Sequence, residues 1–136
     1  MTDSSSQPNG VLIVDDDESI CAFFKMSLNR GIPGARVETA LGGKQALDAF
    51  SQQPFEAVIL DNHMPELDGR DVYLALEEHC SENDIPMPAV LFCTGYEPSA
   101  FIMETVAQNS DQHYLFRKPV TAADVIAVTS SRLSSS

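Results

Sequence analysis

The stretch AVILDNHMPELDG, residues 57–69, decides the fold. Four apolar residues (57–60) run straight into the carboxylate of Asp61, and a loop rich in turn formers follows. A run this short and this evenly apolar suits a strand covered on both faces. The pattern recurs: apolar runs stand at residues 11–14, 89–93 and 114–116, with a weaker one at 35–40.

Helix-like stretches separate these runs. In SICAFFKMSLNRG (19–31), Ile20, Phe23, Phe24 and Leu28 share one helical face, and Gly31 is a natural stop. KQALDAF (44–50) offers Leu47 and Phe50. DGRDVYLALEEHC (68–80) opens on Asp68 as N-cap with Asp71 three residues on, and Val72, Ala75, Leu76 and Cys80 form its buried stripe. PSAFIMETVAQNS (98–110) puts Pro98 in a first turn, and in TAADVIAVTSSRL (121–133) Thr121 and Asp124 have capping-box spacing. Five strands alternating with five helices imply βα units, because parallel strands need crossovers. Right-handed crossovers place helices on both faces and give a three-layer α/β sandwich.

Composition narrows the function. A chain of 136 residues suits one domain, and its 43% hydrophobic content suits an ordinary core. No apolar run approaches the roughly 20 residues of a membrane span. The start, MTDSSSQPNG, lacks signal-peptide character, so residues 1–9 read as a polar tail and 134–136 as a second one. Eight basic against twenty acidic residues leave a net charge of −12, which disfavours direct nucleic-acid binding. That acidity serves solubility, an acid-rich cation site, or both. Cys21, Cys80 and Cys93 have no pairing or zinc spacing and read as buried apolar residues in a reducing cytoplasm. His63, His79 and His113 lack paired metal spacing; His79 and His113 read as surface residues.

The ends of the runs carry the chemistry. The first delivers Asp15, Asp16 and Asp17, the third Asp61, the fourth Thr94 and the fifth Lys118. A parallel sheet aligns all C-terminal strand ends along one edge, where open α/β sheets bind ligands. Taken singly, these residues are ordinary: Asp17 a helix cap, Thr94 a turn residue, Lys118 a solvated cation. Taken together, they aim carboxylates, a hydroxyl and an ammonium into one crevice. Crowded carboxylates repel, and Lys118 supplies only one compensating charge. A hard divalent cation, Mg²⁺ or Mn²⁺, is the natural complement. With it in place Asp61 can attack phosphorus, while Lys118 and the Thr94 hydroxyl meet phosphoryl oxygens. Gly95 would leave space for the group.

The pieces VLIVDDDES, AVILDNHMPELDG, VLFCTG and FRKP stand in an order and spacing that resemble response-regulator receiver domains (CheY-like) of two-component signalling, over residues 10–133. The resemblance implies a flavodoxin-like (βα)5 sandwich with strand order 2-1-3-4-5. It implies that Asp61 is the phospho-acceptor, that Asp15 and Asp16 are the acidic pair holding Mg²⁺, and that the His63 backbone carbonyl completes the metal shell. Thr94 and Lys118 match the phosphate-sensing hydroxyl and lysine, and a cis peptide is implied before Pro119. The implied partners are a histidine kinase or histidine phosphotransfer protein, and an output protein on the face of the fourth helix, fifth strand and fifth helix. No external product, nucleic acid or membrane is expected. The family's aromatic switch stands three residues before the lysine, but Leu115 occupies that position here, flanked by Tyr114 and Phe116. The chain reads either as a stand-alone receiver or as one cut from a longer protein.

Two other readings compete. LIVDDDES also fits the opening of haloacid-dehalogenase-type phosphohydrolases, with Asp15 as nucleophile and Asp17 as general acid. Only Asp124 is then available as a later acidic metal residue, there is no cap domain, and Asp61 with MPELDG is left unexplained. A pseudo-receiver that works without phosphorylation usually lacks the acceptor, the acidic pair or the lysine, and this chain has all of them.

Overall fold

The computed structural model describes residues 10–133, so both expected tails lie outside the described residues. Strands and helices alternate throughout: β1 (Gly10–Val14), α1 (Glu18–Gly31), β2 (Arg36–Ala40), α2 (Gly43–Gln52), β3 (Ala57–Asp61), α3 (Gly69–Asn83), β4 (Ala89–Thr94), α4 (Ala100–Gln108), β5 (Tyr114–Arg117) and α5 (Ala122–Ser131). The strands form one parallel sheet in the order β2-β1-β3-β4-β5. Three of them, β1, β3 and β4, are buried at every position. These are the inner strands of the sheet, and inner parallel strands have no solvated face.

Side-chain alternation sorts the core into two layers. Leu12, Val14, Val58, Leu60, Val90 and Phe92 point to the side covered by α2, α3 and α4. Val11, Ile13, Ala57, Ile59, Leu91 and Cys93 point to the side covered by α1 and α5. The cysteines are free and buried. The edge strand β2 reads RVETA and buries only Val37 and Ala40, which is why its sequence signal is weak.

Four expectations are corrected. Phe23 is 40% exposed, and the inner face of α1 is Cys21, Phe24, Ser27 and Leu28. Along α3, Tyr73 is buried where Ala75 is only half-buried. Pro98 precedes α4: Ser99 is the N-cap, accepting from the Ile102 amide, a bond that serves a first-turn donor as no proline can. His113 is a core residue at 1% exposure. The Asp68–Asp71 capping box forms in both directions, whereas Thr121 caps α5 through its bond from the Asp124 amide.

Gly69 begins α3 where the helix meets the end of β3. A Cβ there would lie 2.8 Å from Asn62 Oδ1 and 3.1 Å from the Asn62 Cα, and the latter is backbone. Gly69→Ala is therefore expected to lower stability by about 1–3 kcal/mol, read from the denaturant midpoint. An unchanged midpoint would show that the 62–68 loop yields freely.

Candidate functional site

Of the polar residues at the strand ends, Asp15, Asp16, Asp61 and Lys118 come together at the C-terminal edge of the sheet. Asp15 follows β1 and is 3% exposed; Asp61 ends β3 and is 4% exposed. Asp16 is exposed, and the carboxylates of Asp15, Asp16 and Asp61 bring ligand oxygens within 4.8 Å of one another. Lys118 Nζ lies 2.8 Å from Asp61 Oδ1 and 3.6 Å from Asp15 Oδ2. The Lys118 amide donates to the Thr94 carbonyl, which ties the fifth strand end to the fourth, and the Lys118–Pro119 peptide is cis.

Electrostatics follow from burial. Asp15 has its pKa raised because burial penalises its charge; the Asp17 amide offsets part of this, and the neighbouring Asp61 adds to the rise. For Lys118 burial works against the charge, but the hydrogen bond and charge of Asp61, with Asp15 behind it, outweigh it and hold its pKa above the usual lysine value. One ammonium thus faces three carboxylates. Such a set of hard oxygen donors fits a divalent cation. The His63 carbonyl accepts no hydrogen bond among the described residues, so it is free to join that set.

Thr94 is buried, and its hydroxyl donates to the Tyr96 carbonyl while accepting from the Tyr96 amide, both at 3.1 Å. It is therefore engaged with its own loop and not with Asp61. Gly95 is exposed, and a Cβ there would only touch the Lys118 stem at 3.9 Å. In the loops that follow β3 and β4, the rings of His63 and Tyr96 meet edge-on, 4.7 Å apart. In the sequence each stands two residues beyond Asp61 or Thr94, but no charge or spacing rule announces that the rings meet. Asp17 caps α1, accepting from the Ser19 and Ile20 amides, and so is not poised as a general acid.

At the other end of β5, Tyr114 is 38% exposed and stacks edge-on to Phe116 at 5.0 Å, with the Arg132 guanidinium over its ring. Leu115 is half-buried on the opposite side of the sheet, against the α4 layer. Among the described residues no helix is long and apolar enough to cross a membrane.

The family model described as "Response regulator receiver domain" matches residues 11–130. Among curated proteins, the chain is 34% identical over 119 residues to the "Transcriptional regulatory protein PrrA" of Mycobacterium tuberculosis, covering 86% of this chain and 46% of that protein. It is 27% identical over 116 residues to the "Sensory/regulatory protein RpfC" of Xanthomonas campestris, covering 85% of this chain and 15% of that protein. The chain thus spans under half the length of these relatives. Among solved structures, the chemotaxis protein CheY4 of Vibrio cholerae superposes with a TM-score of 0.73 at 25% identity, covering 91% of this chain and 98% of that one. A receiver domain protein from Clostridium thermocellum gives 0.71 at 25%, covering 90% and 92%.

Proposed function

This chain belongs to the response regulator receiver domain family of two-component signalling, and from that premise we propose that it accepts a phosphoryl group on Asp61 and signals through it. The observation that carries the reading is the buried Asp61 carboxylate, 2.8 Å from Lys118 and within 4.8 Å of two further carboxylates at one sheet edge. The donor is a histidine kinase or histidine phosphotransfer protein. Asp15, Asp16, Asp61 and the His63 carbonyl would hold Mg²⁺ or Mn²⁺, which would supply positive charge against the phosphoryl oxygens. Asp61 supplies the attacking oxygen, and as the P–O bond forms the P–N bond breaks and the donor imidazole leaves. Lys118, already paired to it, moves its charge onto the incoming group, and Thr94 exchanges its Tyr96 contacts for a phosphoryl oxygen.

That exchange draws the 94–99 loop toward Asp61 and shifts α4, which buries only Ile102 and is lightly held. The output partner reads this on the α4–β5–α5 face. With Leu115 in the family's aromatic position, Thr94 carries the switch there, and Tyr114 and Phe116 serve as packing. The domain acts on itself and releases no external product, it works in the cytoplasm, and the receiver unit is residues 10–133.

Intact mass after incubation with acetyl phosphate tests this. A covalent adduct that forms with Mg²⁺ and fails to form with chelator supports the reading. No adduct, or one carried on Asp15, would overturn it.

His63 and Tyr96 stand two residues beyond Asp61 and Thr94, positions that in receivers border the route of the hydrolytic water, and their rings meet edge-on. Tyr96→Ala is expected to speed dephosphorylation by about 3–10-fold through easier water access. Equal decay rates would rule out shielding by the ring.

A further inference from the structure

A cavity of about 330 Å³ opens at the N-terminal edge of the sheet, away from Asp61, between the end of α3 and the α4–β5 connection. One wall is a helical stripe of α3, Tyr73, Glu77 and Ser81, spaced four residues apart. The facing wall is Asn109 and Gln112, and His113 closes the inner end.

The hydrogen-bond inventory of that inner end is unbalanced. The Val90 amide donates to His113 Nδ1 at 3.0 Å, so the neutral ring carries its proton on Nε2. That proton goes to the Tyr73 oxygen at 3.2 Å. The hydrogen of the Tyr73 hydroxyl then has no acceptor among the described residues, although Tyr73 is only 6% exposed. Because Tyr73 lines the cavity, that hydrogen can be given to an oxygen of whatever occupies it, water or ligand.

The negative charge lining the cavity is Glu77, while the Arg132 guanidinium, beside His113, is spent on the Ser110, Gln112 and His113 carbonyls. Glu77, Glu78, Glu82 and Asp84 crowd the C-terminal end of α3, where the helix dipole is already negative and the last turn carries no basic residue. None of the four forms an ion pair among the described residues. The Gln112 amide nitrogen is spent on the Met87 and Pro88 carbonyls, which fixes the side chain and leaves its oxygen open. Ile85 and Met87 add an apolar patch.

We propose that this cavity binds a small cationic ligand that carries a guanidinium or ammonium head together with a carbonyl oxygen. The head meets Glu77 and the Gln112 oxygen at the mouth, its alkyl stem lies on Ile85 and Met87, and its carbonyl takes the Tyr73 hydroxyl. The chemistry is that of an arginine-like molecule, free or presented as a side chain by a partner.

Backbone amide chemical shifts, followed while blocked arginine (the N-acetyl, N′-methylamide) is titrated at fixed ionic strength, test the site. Saturable shifts are expected at Glu77, Asn109, Gln112 and His113. Glu77→Gln, at an exposed position, should weaken binding about tenfold, as for loss of one charged hydrogen bond. Ser81→Phe should block the mouth. Asp61→Asn should bind as the parent does, so this result stands or falls apart from the phosphorylation chemistry. Tighter binding of a short peptide with one central arginine would assign the ligand to a partner protein, and tighter binding of the blocked arginine to a free molecule. The site is overturned if no saturable shifts arise, if neutral blocked citrulline binds within about twofold, or if the shifts spread over the acidic surface and vanish with salt as screened contacts do.

Discussion

Asp61→Asn is expected to abolish phosphoryl uptake while leaving the domain at least as stable as the parent. The physical reason is that Asp61 both supplies the nucleophilic oxygen and contributes one of three carboxylates crowded at the sheet edge. Replacing it with the neutral amide removes the nucleophile and also removes like-charge repulsion from Asp15 and Asp16. Lys118 keeps Asp15 as a partner at 3.6 Å, so its charge is not stranded. Lys118→Ala should behave differently. The nucleophile remains, but the charge that meets developing negative oxygens is gone, and the rate should fall by about a hundredfold or more. Removing that single cation also leaves three acids uncompensated, so stability in chelator should drop and recover with Mg²⁺ through linkage. Phosphorylation rates by intact mass and melting curves with and without Mg²⁺ check the pair. Persistent labelling of Asp61→Asn would move the acceptor elsewhere, and Mg²⁺-independent melting of Lys118→Ala would remove the cation from the site.

Acid is expected to weaken the domain through His113. Burial, with Arg132 nearby, pushes its pKa down to about 4 from the ordinary value of 6.5. The unfolded chain therefore takes up this proton near pH 6.5, whereas the folded one resists until about pH 4. Between these values the unfolded state binds more protons, so stability falls as pH falls through the window and the loss is complete below it. The span corresponds to about 3 kcal/mol. Protonation would also make Nδ1 a donor and forfeit its bond from the Val90 amide. Asp15 acts in the opposite sense, since its raised pKa favours the folded state as pH drops. A comparison of the parent with His113→Gln isolates the histidine. The parent should lose about 3 kcal/mol more than the variant between pH 7 and pH 4 in denaturant titrations, and parallel curves would refute the buried neutral ring.

How much was legible depended on how local the signal was. The inner strands announced themselves because both faces are covered, which forces unbroken apolar runs such as AVIL before Asp61. Helix faces were legible to within a residue, and Phe23 was misplaced because neighbouring positions on a helix rim differ little in sequence terms. The candidate site was legible because parallel strands bring their ends to one edge whatever the details of packing. His113 was not legible: its partners Val90 and Tyr73 lie 23 and 40 positions away, and a lone histidine before a strand carries no mark of burial. The His63–Tyr96 contact was hidden for the same reason.

The sequence by itself therefore determined the alternating βα architecture, the residues delivered to the sheet edge and the family they resemble. It did so because periodicity and strand-end chemistry are written in neighbouring residues. Only the tertiary structure decided that Thr94 rests on its own loop, that Lys118 pairs with Asp61 across 57 positions, and that a cavity with an unmatched Tyr73 hydroxyl lies at the far edge. Those outcomes depend on distances between separate elements, which packing sets and no local pattern encodes.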